Sequence, residues 1–212
     1  MGKILDRNYS DKYKIKMLES FNARLELYLF NLAKKYKKVK IHFDEQEFLD
    51  LHKNPEYSNN KLKAKCAEYG NSYSFDTPEY RDIDYYMDKW CEDNEGYIKT
   101  LYDEKYKSIY ENEIFNEDKF YKILNRDKCN YCGITVKQIK TLIDKGKMFT
   151  KRYNRGLVME LDRRIPNWEY SEENTVACCY WCNNAKTDEF FDDEFNEIGA
   201  AIGNTLRKRL ID

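Results

Sequence analysis

Residues 157–186 read LVMELDRRIPNWEYSEENTVACCYWCNNAK, and their order decides the fold of the C-terminal half. The apolar run Leu157-Val158-Met159-Glu160-Leu161 predicts a strand, opened by the turn signal Asn154-Arg155-Gly156 and ended by Pro166. A second run, Thr175-Val176-Ala177-Cys178, predicts a second strand. It leads straight into Cys179-Tyr180-Trp181-Cys182, after which a helix is expected through Lys186. Strand, strand and helix in that order make a ββα unit.

Upstream lies a second pair of the same kind, Cys129-Asn130-Tyr131-Cys132, followed by Gly133. Two residues between sulfurs is the spacing that lets both thiolates of a knuckle reach one tetrahedral ion. Cys129, Cys132, Cys179 and Cys182 together predict a closed, structural Zn²⁺ site; redox-active or merely buried thiols are the competing reading. Such an ion joins the segment before the hairpin to the helix after it. Alternation along the strand aims Cys178 away from Cys179, which makes it a core residue, as Cys66 and Cys91 are in helical patterns. Thr135 is a helix cap for a segment running to Gly146, and one or two helices are expected from Phe190 to Leu210.

The N-terminal portion reads differently. Ile15, Leu18, Phe21, Leu25, Tyr28, Leu29 and Leu32 recur at helical spacing, predicting one long amphipathic helix over 11–38. Val39-Lys40-Ile41-His42-Phe43 looks like a short strand, and Asp44 with Glu47 gives a capping signal for a helix to Leu51, stopped by Pro55. A short helix follows at 62–69. Thr77-Pro78 opens further helices that run to Asn125 with a break near Asn94 and Gly96. His42 and His52 have no partner at ligand spacing and read as structural or surface residues. The expected class is α+β: a helical region over 1–121 and a zinc-stapled ββα module over 122–212.

Composition bounds the rest. A chain of 212 residues with 42% hydrophobic content can bury a core without disulfides. No apolar run spans a bilayer and the first residues lack the apolar core of a signal peptide, so a cytoplasmic protein is expected, where seven Cys are better read as ligands and buried thiols. Net charge is −1, yet basic residues dominate from Lys122 to Arg164 and acidic ones after Pro166. Lys147, Lys151, Arg152, Arg155 and Arg164 are the candidate phosphate contacts.

The ordered set Cys-x-x-Cys-Gly, Asp162-Arg163-Arg164-Ile165-Pro166, Asn174, and Cys179-x-x-Cys182-Asn183-x-x-Lys186 resembles the zinc-bearing HNH, or ββα-metal, endonucleases over residues 120–195. The resemblance implies hydrolysis of DNA phosphodiesters with one divalent ion such as Mg²⁺. It implies Asp162 and Asn183 as ligands of that ion and Asn174 as organiser of the hairpin loop. The family's general-base His falls on Arg163. A guanidinium stays protonated below a pH of about 12 and cannot take a proton from water, though it can clamp a phosphate. Glu160, on the same strand face as Asp162, is a candidate to hold metal or water; an ordinary exposed strand residue is the plainer reading. Asp162 and Asn183 taken singly read as local caps. Two further functions stay open: a catalytically inactive zinc-dependent nucleic-acid-binding module, and a scaffold whose N-terminal helices bind another protein.

Overall fold

A computed structural model describes residues 11–36, 40–72, 77–150 and 156–211. The protein is mixed α+β and mostly helical, with a single two-stranded antiparallel sheet among the described residues. The chain divides into two compact units. Unit 1 comprises residues 1–117 together with Asn167–Ser171, and unit 2 comprises 118–166 and 172–212.

Unit 1 is built around α1 (Lys12–Tyr36). The predicted apolar positions lie on it, but Met17, Leu27 and Phe30 are buried as well, so α1 is covered on most sides rather than along one stripe. Helix α2 (Glu45–Leu49) starts where expected: the Asp44 side chain accepts the Glu47 N–H. The strand anticipated before it does not form. Residues 40–44 are irregular, Ile41 is buried, and Phe43 stacks on Trp90 with ring centroids 4.8 Å apart; Val39 lies outside the described residues. Among the described residues of unit 1 no strand offers that segment a ladder, and a lone strand leaves its amides unpaired.

Helices α3 (Asn59–Ser72) and α4 (Pro78–Asp93) follow, the latter beginning at Thr77-Pro78 as predicted, and Asn94 interrupts the run. From α5 (Glu95–Thr100) the chain continues through wider, π-helical turns at Leu101–Tyr106 and Tyr110–Ile114, which flank the single turn α6 (Lys107–Ile109). These turns bring Tyr102, Tyr106 and Tyr110 onto the core: Phe21 meets Tyr102 and Tyr106 at 5.1 Å each, and Tyr106 meets Tyr110 at 5.8 Å.

One buried ion pair organises this unit. Arg24 is fully buried on α1 and donates from Nε and Nη2 to the two carboxylate oxygens of Glu169, at 2.9 and 2.7 Å. Its Nη1 donates to the carbonyls of Phe48 and Leu49, and the Tyr106 hydroxyl donates to Glu169 at 3.0 Å. Every charge removed from water here has a partner, the condition under which burial is tolerated.

Unit 2 begins at the boundary with α7 (Glu117–Leu124), then α8 (Val136–Asp144), which carries a reciprocal capping box between Thr135 and Gln138. Strand β1 (Glu160–Arg163) pairs with β2 (Thr175–Cys178), with Glu160 opposite Cys178 and Asp162 opposite Val176. The first strand starts later than its apolar run suggested: Leu157 and Val158 are exposed and unladdered, because β2 offers only four residues to pair with. Helix α9 (Tyr180–Lys186) follows β2 without a loop, and a single helix, α10 (Asp192–Ile211), closes the unit. Among the described residues no helix is long and apolar enough to cross a membrane.

Candidate metal centre and hairpin face

The four predicted cysteines converge. The Sγ atoms of Cys129, Cys132, Cys179 and Cys182 all lie within 4.8 Å of one another, and all four residues are buried. Cys132 and Cys179 Sγ are 3.6 Å apart. A tetrahedral ion with metal–sulfur bonds of about 2.3 Å requires edges of about 3.8 Å, so the cluster has the size of one such site. No disulfide forms among them. This is the one group of three or more metal-ligating side chains found among the described residues.

Local structure explains the convergence. In the first knuckle the Cys129 N–H donates to the Ile134 carbonyl and the Gly133 N–H to the Cys129 carbonyl. Gly133 turns the chain with φ +70, a left-handed conformation that costs glycine little. The Asn130 N–H reaches the Ala177 carbonyl at 2.9 Å, docking the knuckle on β2. In the second knuckle Cys179 is the N-cap of α9 and its sulfur accepts the Cys182 N–H. Helix α10 closes over the first knuckle through two glycines: a Cβ at Gly199 would meet Tyr131 Cβ at 2.7 Å, and one at Gly203 would meet the Cys132 carbonyl oxygen at 2.2 Å. Hydrogen bonds with Cys132, Cys179 and Cys182 lower the Cys129 thiol below the usual range, and those with Cys129, Cys132 and Cys179 raise the Cys182 thiol above it.

Beside the sulfurs, β1 faces α9 across two polar rungs. Glu160 Oε2 accepts from Asn183 Nδ2 at 2.6 Å. Asp162 Oδ2 lies 3.2 Å from Lys186 Nζ, and that ammonium also donates to the Arg163 carbonyl at 2.8 Å. Glu160 and Asp162 are two apart on a strand and Asn183 and Lys186 three apart on a helix, so both pairs fall on facing surfaces. Asp162 Oδ2 also accepts the Tyr131 hydroxyl at 2.6 Å. Burial raises the Asp162 carboxyl above its ordinary value, against the opposing pull of Lys186 and Tyr131.

The remaining predicted residues fall as follows. Asn174 clips the mouth of the hairpin: its Oδ1 accepts the Ile165 N–H at 2.7 Å and its Nδ2 donates to the Ile165 carbonyl at 3.2 Å. Arg163 pairs with Asp188 at 2.8 Å and Arg164 with Asp192 at 2.6 Å. Lys147 is half-buried, and its carbonyl accepts from Arg209. Lys151, Arg152 and Arg155 lie outside the described residues. Cys178 is buried and takes no part in the sulfur cluster, and burial raises its thiol well above the usual range. Sequence reading gave no role to Lys186 or Tyr131. The first stood at a motif position without an assigned partner; the second was an unremarked residue between two cysteines.

No protein-family model matches this chain, and it matches no curated protein and no solved structure.

Proposed function

We propose that unit 2 is a zinc-stapled, HNH-like endonuclease module that hydrolyses DNA phosphodiester bonds. The observation that carries this reading is the β1/α9 face with Glu160, Asp162 and Asn183 on it, built directly onto a four-sulfur cluster of zinc dimensions. Four thiolates without an open position suit a structural zinc, which leaves chemistry to a different ion.

Asp162 and Asn183 offer the oxygen donors that a hard divalent ion prefers, and they would hold a Mg²⁺-like ion here. Such an ion, when bound, supplies a more acidic water and charge against the phosphate. The chain's own residues do the rest. Lys186 and Tyr131 fix the Asp162 carboxylate, and Asn174 keeps the hairpin mouth closed. Arg163 serves as a phosphate clamp. Its partner Asp188 is 64% exposed, so solvent screens that pair, and a phosphate oxygen would offer the guanidinium a charge-assisted hydrogen bond in its place. Lys147, Lys151, Arg152, Arg155 and Arg164 would track the backbone, giving an affinity that falls steeply with salt. Buried reduced thiols accord with a reducing, cytoplasmic setting.

One observation favours a second reading. Asp162 Oδ2 already carries an ammonium and a phenol, the arrangement of a carboxylate whose charge is neutralised within the protein. On that reading the module binds nucleic acid without cutting it. Cleavage of supercoiled plasmid at low salt with Mg²⁺ or Mn²⁺, by the zinc-loaded protein and its Asp162→Ala variant, separates the two. Nicking by the unsubstituted protein alone supports the endonuclease; DNA retained by both without nicking supports the binding module.

A further inference from the structure

We propose that Tyr131 is a positioning residue for Asp162, through which the sulfur cluster sets the geometry of the hairpin face. This role rests on the endonuclease reading above. Tyr131 sits between two of the four clustered cysteines, so the knuckle fixes its backbone on both sides. Its ring is buried, packs edge-on against Phe195 with centroids 5.1 Å apart, and has Gly199 of α10 against its Cβ. A ring held on these sides cannot swing, and its hydroxyl stands 2.6 Å from Asp162 Oδ2.

Lys186 reaches the same oxygen from α9, the helix that begins at the second knuckle. Both side chains that hold Asp162 Oδ2, Tyr131 and Lys186, are therefore carried by segments that the sulfur cluster anchors. Hydrogen bonds of this outer kind orient the groups that touch an ion, and losing one typically costs about 10–100-fold in metal affinity or activity. The cluster then does more than hold the unit together: it sets the direction in which Asp162 presents its carboxylate.

The test is Tyr131→Phe, which keeps the ring and removes one oxygen. The variant is expected to retain zinc and to bind plasmid DNA with unchanged affinity and KM. Its kcat for nicking should fall about tenfold, and its affinity for Mn²⁺, titrated on the zinc-loaded protein without DNA, should weaken by a similar factor. Placing 4-aminophenylalanine at position 131, which restores a donor, should recover most of both losses. Nicking and Mn²⁺ affinity equal to those of the unsubstituted protein would overturn the role. Loss of zinc from Tyr131→Phe would overturn it as well, by making the hydroxyl a folding contact. An unsubstituted protein that neither nicks nor takes up Mn²⁺ would sink the endonuclease reading, and this role with it.

Discussion

Gly203→Ala is the substitution whose effect the geometry fixes most tightly. A Cβ there would lie 2.2 Å from the carbonyl oxygen of Cys132, where ordinary contact begins at 3.4 Å, so α10 and the first knuckle must separate by about 1.2 Å. The obstacle is backbone belonging to a clustered cysteine, and it cannot rotate aside. Overpacking of this kind costs about 1–3 kcal/mol, here at the upper end, and the Arg207 hydrogen bond to the same carbonyl adds about 1. Alanine's helical preference returns only about 1 kcal/mol, leaving a net loss of roughly 3 kcal/mol. Gly96→Ala in α5 is the control: nothing lies within 4 Å of its Cβ, so it should gain up to about 1 kcal/mol. Urea unfolding followed by far-UV circular dichroism measures both, and a chromogenic chelator reporting metal release adds a direct readout for Gly203, which shares unit 2 with the cysteines. Gly203→Ala should release metal at distinctly lower urea; equal or greater stability than the unsubstituted protein would refute the closure of α10 on the knuckle.

Two more predictions concern unit 1. The His52 imidazole is held below its ordinary value by burial, with the neighbouring Arg24 guanidinium adding to the effect. A depressed histidine stabilises the fold above its unfolded value of about 6.5 and loses that contribution as the pH falls through it, so His52→Gln should flatten the decline in stability between pH 7.5 and 5.5; identical slopes for both proteins would contradict this. Arg24→Met strands a buried Glu169 carboxylate and should cost about 3–5 kcal/mol in denaturant unfolding, whereas Arg24→Met combined with Glu169→Gln should cost less than the two singly added together.

Much of this was legible in the residues. The knuckle spacing placed four cysteines on one site, Asp44 and Thr135 marked helix starts by a local hydrogen bond, and Pro78 set the start of α4. Each signal is local, requiring only residues within a turn of one another. The first strand starts later than its apolar run suggested because apolar content says nothing of how many residues the partner strand can pair: Leu157 and Val158 are apolar, yet exposed and unladdered. The segment before α2 failed for the complementary reason, since Phe43 found Trp90 rather than a neighbouring strand. Contacts between distant positions left no periodic trace: Tyr131 with Asp162, Lys186 with Asp162, and Arg24 with Glu169 join residues of ordinary type across long separations. Even so, a Tyr fixed between two ligand-spaced cysteines is a side chain whose direction is constrained, and that could have drawn notice.

Everything proposed for the hairpin face stands on the four sulfurs sharing one ion. Elemental analysis of the protein purified without added metal, alongside Cys129→Ser and Cys179→Ser, tests this directly. One zinc per chain is expected, falling to none in either variant with loss of unit 2 structure. A metal-free protein of unchanged fold, or variants that keep their zinc, would contradict it.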